Sequence, residues 1–332
     1  MSTSWMLKTN ADPLVAVRTF LQALWSQADL DGILTQLEPT GGKRTGPQLV
    51  DDPALLETAD PFLPLVTVNS AKLVIQLSRQ HPEAYLAAIL RPCEVRALSN
   101  VIGHIPVDLK HWFIIGVDCL ASFPAEDFEW RLQKAGTAEE LTRQILRNAR
   151  QGGISPDRFR SACQMYASPA SQEVDLCMGL LGLPVKEYIL VTAKDEDTAR
   201  RLHLGEITSG LALSSQVTQR EEMLDTLFGR RTHLHERMVL ELPSDLPSSV
   251  SELAAFIEAC APCQICLEVC PIYSSLVAAG AAGGELSMDD VTHWLTSCVA
   301  CGMCEQACPK HTPLPAIISR INQELREELM TA

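Results

Sequence analysis

An α/β domain with a mostly parallel sheet, followed by a small cysteine-rich domain, is the fold class that the sequence predicts. Three observations predict it. Short apolar runs alternate with amphipathic stretches at helical spacing over most of residues 1–242. The chain has 332 residues, more than a single hydrophobic core usually serves. Eight of its twelve cysteines fall in two runs beyond residue 259.

Element by element, Asp12 before Pro13 has the character of an N-cap and first helical residue, and Leu14, Val17, Leu21 and Leu24 then recur on one face. Glycine, proline and aspartate crowd residues 41–61, which predicts a long surface connection with short ordered pieces at most. Next come a strand at 63–68, a helix at 70–79, a buried strand at 84–90, a helix at 94–102 and a buried strand at 112–117. A helix follows at 137–150, with Leu141, Ile145 and Ala149 inward; its Arg143, Arg147 and Arg150 read as a solvated face. Residues 151–175 read as loop, 187–192 as a strand, and the stretch to Phe228 as helical segments. Pro243 and Pro247 mark a linker at 243–250, and Ser249 with Glu252 has the spacing of a capping box that opens the second domain, residues 251–332.

Composition narrows the partners. The formal net charge of −14 repels phosphate backbones and anionic lipid surfaces, so nucleic acid is not an expected partner. No apolar run reaches the length of a membrane span, and residues 1–10 lack the features of a signal peptide, so a cytoplasmic protein is expected. In a reducing compartment twelve cysteines point to metal or redox chemistry rather than to six disulfides.

Cys260, Cys263, Cys266 and Cys270 before Pro271 form C-x-x-C-x-x-C-x-x-x-C-P, and Cys298, Cys301, Cys304 and Cys308 before Pro309 repeat it. Three thiolates at this spacing reach three corners of an iron-sulfur cube, while the fourth ligates the other cluster. Two 4Fe-4S clusters are therefore expected, one on Cys260, Cys263, Cys266 and Cys308, the other on Cys298, Cys301, Cys304 and Cys270. A structural zinc gains nothing from a doubled, proline-terminated run. The last 80 or so residues resemble the α-helical dicluster ferredoxins of heterodisulfide reductase small subunits and of fumarate and succinate iron-sulfur subunits. That resemblance implies a helical scaffold, to which the periodic Leu314, Ile317, Ile318, Ile321, Leu325 and Leu329 conform.

In the first domain Cys93 follows one buried strand and Cys119 the next, which places both at the carboxyl edge of a parallel sheet, where such sheets bind ligands. Arg91-Pro92-Cys93-Glu94, Gly116-Val117-Asp118-Cys119, Ala162-Cys163-Gln164-Met165 and Leu176-Cys177-Met178-Gly179 occur in an order that resembles the beta subunits of coenzyme F-420-reducing hydrogenases and formate dehydrogenases, across residues 15–240. The resemblance implies a flavin (FAD), a further 4Fe-4S cluster on Cys93, Cys119 and Cys163, and exchange between a hydride carrier, coenzyme F-420 or NAD(P), and an iron-sulfur chain. The family's second cysteine of C-x-x-C is Tyr166 here. Three outcomes are open: Cys177 replaces it, a three-thiolate cluster forms, or the site has lost its iron.

For the flavin, the resemblance offers a loop reduced to Gly179 and Gly182, and Lys43 and Arg44 between glycines could hold a phosphate or belong to an ordinary surface loop. His233-x-His235 reads as solvated surface. The expectation is an oxidoreductase electron-transfer subunit that works with the catalytic subunits of a formate dehydrogenase, hydrogenase or heterodisulfide reductase type of complex; the alternative is a relay or assembly subunit without flavin.

Overall fold

The computed structural model describes residues 3–38, 46–153, 158–171, 173–260, 263–278 and 288–331. Lys43 and Arg44 lie outside the described residues. Seven strands, β1 (Thr3–Lys8), β2 (Gly32–Gln36), β3 (Pro47–Val50), β4 (Leu86–Leu90), β5 (Trp112–Val117), β6 (Leu176–Gly179) and β7 (Tyr188–Ala193), form one sheet in the order β1-β7-β6-β5-β4-β2-β3.

The sheet is mixed rather than mostly parallel. β2, β4, β5 and β6 run parallel, while β3, β7 and β1 pair antiparallel at the two sides. The reason is connection length. Parallel neighbours need a crossover of a dozen or more residues, and only eight residues without a helix separate β6 from β7, so the chain turns back beside itself.

The expected strand at 63–68 is also corrected. Pro61 and Pro64 supply no N–H donors, and the Leu63 and Leu65 carbonyls accept from the buried Arg91 guanidinium at 2.6 and 3.2 Å instead of from a neighbouring strand.

Helix α1 (Pro13–Gln27) starts as its sequence demands, with the Asp12 carboxylate accepting from the Leu14 and Val15 N–H groups. α2 (Ser70–Gln80) and α3 (Pro92–Ile102) cover one face of the sheet, where Leu86, Ala88 and Leu90 of β4 point. The alternate residues Ala87 and Ile89 face the other side, under α1, α4 (Ala125–Ala135), α5 (Ala138–Leu146), the short α7 (Glu196–Arg201) and α8 (Leu204–Ile207), and part of α9 (Ser214–Leu240). The one-turn helix α6 (Ser161–Met165) lies between this layer and the C-terminal region.

The C-terminal region is helical: α10 (Val250–Ala259), α11 (Ile265–Glu268), α12 (Pro271–Ala278), α13 (Met288–Ser297), α14 (Met303–Ala307) and α15 (Leu314–Thr331). It has its own small core of Leu253, Ile257, Leu267, Trp294, Leu295, Leu314, Ile317, Ile318 and Ile321. It is also docked on the sheet layer, because Ile272, Leu276 and Val299 join the core of α2 and α3. Polar bonds finish the seam: the Asn100 amide donates to the Ser297 carbonyl at 2.7 Å, Lys72 to the Glu268 carbonyl at 2.9 Å and Gln306 to the Val66 carbonyl at 2.8 Å.

Candidate metal centres

The two cysteine runs fold alike. In each, the residue after the second cysteine adopts a left-handed conformation, Gln264 at φ 42° and Gly302 at φ 72°, and starts a one-turn helix that carries the third cysteine, Cys266 or Cys304. In the second run the reversal brings Cys298, Cys301 and Cys304 to the wall of one cavity. Beside the second run the chain leaves about 330 Å³ of unfilled space, lined by Cys270, Cys298, Cys301 and Cys304 with Trp294, Pro315 and Ile318. The fourth cysteine of the first run thus stands with three of the second. Reciprocally, Cys266 stands close enough to Cys308 and to Cys260 for their charges to interact, while Cys263 is exposed.

The sulfurs carry the hydrogen bonds that thiolates ask for. The Trp294 indole N–H donates to Cys270 Sγ at 3.3 Å, the Ala300 N–H to Cys298 Sγ at 3.4 Å and the Ala121 N–H to Cys119 Sγ at 3.3 Å. Burial pushes the Cys298 thiol up to about 12, against the Ala300 N–H, and the Cys301 thiol up to about 11, against the Met303 N–H. Bare thiolates are therefore costly here and gain from a cationic centre that shares their charge. Among the described residues no three His, Cys, Asp or Glu side chains converge as ligands of a single ion would. Soft donors set around a cavity suit a multi-iron cube.

The structure also brings Cys93, Cys119 and Cys163 together. Cys93 sits in the first turn of α3 just past β4, and Cys119 sits two residues past β5. Both therefore emerge at the carboxyl edge of the parallel strands, and α6 delivers Cys163 from above. They line about 320 Å³ of unfilled space together with Tyr166, Arg160, Arg231, Ala300 and Cys301. The Glu94 carboxylate fixes the Cys93 turn by accepting from the Arg91 and Ser70 N–H groups.

Arg160 lies between Cys163 Sγ, at 3.5 Å, and the Cys301 carbonyl, at 3.3 Å, and its buried Nε has no partner among the described residues. Burial alone would raise the Cys163 thiol, but Arg160 and the Ser122 N–H outweigh it and hold the thiol below the usual range. An orphaned donor and a lowered thiol in one cavity fit an anionic, acceptor-rich group such as a sulfide-bearing cluster.

Cys177 does not join them. It lies within β6 opposite Gly116, with its sulfur 3.5 Å from the Arg220 guanidinium, on the flank of the buried Asp118–Arg220 pair. The candidate set Cys93, Cys119, Cys163 and Cys177 is therefore corrected to three thiols.

The candidate flavin glycines are corrected as well. A Cβ on Gly179 would lie 2.3 Å from Arg220 Nε, and one on Gly182 would lie 2.7 Å from Met223 Cβ. These glycines let α9 approach the sheet and leave no cradle for a cofactor. The two histidines behave as surface and seam: His233 is exposed, and His235 meets Ser319 of α15 at 2.5 Å. Arg160, Arg231 and Gly302 carried no recognisable signal in the sequence. They matter through where α6 and the second cysteine run meet.

With this geometry in place, the comparisons with known proteins divide along the chain. Residues 256–312 match the 4Fe-4S dicluster domain family. The C-terminal region is thus a dicluster-type iron-sulfur domain. Over 73% of its length the chain has the fold of a chain from the F420-reducing [NiFe] hydrogenase complex of Methanosarcina barkeri, covering 91% of that chain with a TM-score of 0.53 at 11% identity. Among curated proteins none matches the sequence. No helix among the described residues is long and apolar enough to cross a membrane.

Proposed function

We propose that the chain is the electron-transfer subunit of a larger redox complex, built around three sulfur-lined sites in a row. Cys260, Cys263, Cys266 and Cys308 would hold the outer 4Fe-4S cluster, Cys298, Cys301, Cys304 and Cys270 the middle one, and Cys93, Cys119 and Cys163 a third at the sheet edge. The observation that carries this reading is a shared wall: Ala300 and Cys301 line both the middle cavity and the three-thiol cavity. Such clusters take up and release single electrons at potentials tuned by charge, burial and hydrogen bonds to sulfur.

The chain's own residues act on each of those levers. Trp294 and the backbone donors bond the sulfurs, Arg160 puts positive charge between the inner two sites, and the packing of Ile272, Val299 and Ile318 excludes water from the middle one. The outer end differs, since Cys263 is exposed. With 11 acidic and three basic residues from Asp245 onward, that end favours docking on a basic partner surface.

The F420-reducing hydrogenase complex to which the neighbouring fold belongs supports a partner of the hydrogenase type; a formate dehydrogenase partner and a hydride carrier, coenzyme F-420 or NAD(P), belong to the same proposal through the resemblance of the cysteine motifs. Gly179 and Gly182 are filled by Arg220 and Met223 and do not fit a flavin, and the reading of a relay subunit without flavin gains from that misfit. Iron, sulfide and flavin analysis of the anaerobically purified chain tests both points. About twelve irons per chain support three sites. About eight without redox-active signals from the first domain reduce the proposal to the C-terminal pair. Stoichiometric flavin with diaphorase activity restores the hydride-linked form.

A further inference from the structure

The cavity of Cys93, Cys119 and Cys163 has three soft donors, and a cube needs a ligand at each of four corners. Of the other residues on its wall, Pro92, Ala121, Ala162 and Ala300 offer no side-chain donor, and Arg160 and Arg231 are cations. Cys301 belongs equally to the middle cavity, among Cys270, Cys298 and Cys304. Tyr166 remains.

Its position is fixed from both sides. The Tyr166 N–H donates to the Ala162 carbonyl at 3.1 Å, and its own carbonyl accepts from Arg231 Nη1 at 3.4 Å. Three residues beyond Cys163, the side chain falls on the same side of the α6 turn, with its phenol oxygen among the charges of Cys93, Cys119 and the facing guanidinium of Arg96. Behind the ring lies an open cavity of about 410 Å³, which Tyr166, Arg96 and His235 also line. The phenol is thus the partition between the three thiols and solvent.

We propose that the phenol oxygen of Tyr166 is the fourth ligand of a cube held by Cys93, Cys119 and Cys163. The assignment rests on the third-cluster reading above. Binding forms one iron–oxygen bond, displaces a water from that iron and releases the phenol proton to solvent; no oxidation state changes. Arg96 offsets the phenolate charge. The corner faces the open cavity, so this iron is the one most exposed to loss.

The test compares full-length wild type, Tyr166→Phe and Tyr166→Cys, each reconstituted anaerobically with enriched iron and sulfide. Iron counting, Mössbauer spectroscopy and resonance Raman are the readouts. Phenylalanine keeps the ring and its packing and removes only the oxygen, and the C-terminal clusters serve as an internal folding control. Expected are about twelve irons in wild type with one oxygen-ligated subsite and iron-phenolate vibrations, loss of about one iron after brief air exposure in Tyr166→Phe, and an all-sulfur spectrum in Tyr166→Cys. Twelve irons with an unchanged spectrum in Tyr166→Phe would give the corner to another donor and overturn the assignment while leaving the third cluster standing. About eight irons in wild type would overturn both.

Discussion

Gly302 packs closely against Ala162 of α6, and replacing it by alanine should loosen the middle and sheet-edge sites together. The backbone there has φ 72°, which costs an alanine about 1–2 kcal/mol. The added Cβ would also lie 2.3 Å from the Ala162 Cβ, against an ordinary contact of at least 3.4 Å. Either α6 or the Cys301–Met303 turn must retreat by about 1 Å, and overpacking of this kind costs about 1–3 kcal/mol. The total for Gly302→Ala is about 2–5 kcal/mol. Ala162→Gly removes the opposing methyl, so in the double variant the steric part should be recovered and only the backbone part should remain. Urea denaturation of the reconstituted chain, followed by cluster absorption and by circular dichroism, measures the cycle. Additivity of the two substitutions within about 0.5 kcal/mol would show that the methyl contact does not exist, and would refute the seam as described.

Three further expectations follow from single side chains. Cys270→Ser should strip about four irons from the set of Cys298, Cys301 and Cys304 and leave the Cys260 set loaded, as iron counts with EPR would show; loss from the Cys260 set instead would mean that each run serves its own cluster. Burial pushes the Asp60 carboxyl up to about 7, against the Thr142 hydroxyl, Arg18 and the Phe62 N–H, so the folded state holds that proton more tightly than the unfolded chain. Its contribution to stability is full below about pH 4 and disappears as pH rises through 7, and Asp60→Asn should flatten that fall by about 4 kcal/mol as read from denaturation across the range. Arg220→Met leaves the fully buried Asp118 carboxylate without its cation, with only the Leu180 and Leu181 N–H donors, and should cost about 3–5 kcal/mol; a cost below 1 would place the pair among weak surface contacts.

Much of the site was legible because cysteine spacing is a local property. Both runs, and the emergence of Cys93 and Cys119 at a sheet edge, follow from a repeat of three and from strands short enough to recognise by burial. What the sequence concealed was set by distant partners. β6 is four residues long, too short for the sequence to single it out before β5 and β7 flank it. Residues 63–68 carry apolar content that suits a strand, yet they give their carbonyls to Arg91. Gly179 and Gly182 have the composition of a phosphate loop, but the sequence does not say that Arg220 and Met223, some 40 residues on, fill the space above them. Cys177 invited assignment as a ligand because it is the nearest spare cysteine; its place inside a strand, one pair short of the sheet edge, removes it.

The same long-range logic explains why the sheet-edge site and the middle site share a wall. A parallel sheet presents its ligand-binding residues at one edge, and only small residues let a second backbone come up to that edge. Ala162, Ala300 and Gly302 are those residues here, and the Arg160 guanidinium spans the join to bond Cys163 on one side, the Cys301 carbonyl on the other and the Gln306 amide oxygen at 2.7 Å. A cation in that place counteracts the charge repulsion of two thiolate-bearing sites, which grows as they approach in a medium of low dielectric. Close approach and charge compensation are thus built by the same few residues. One acidic residue of the dicluster domain, Glu305, joins the seam by accepting from the Ser161 hydroxyl of α6 at 2.5 Å.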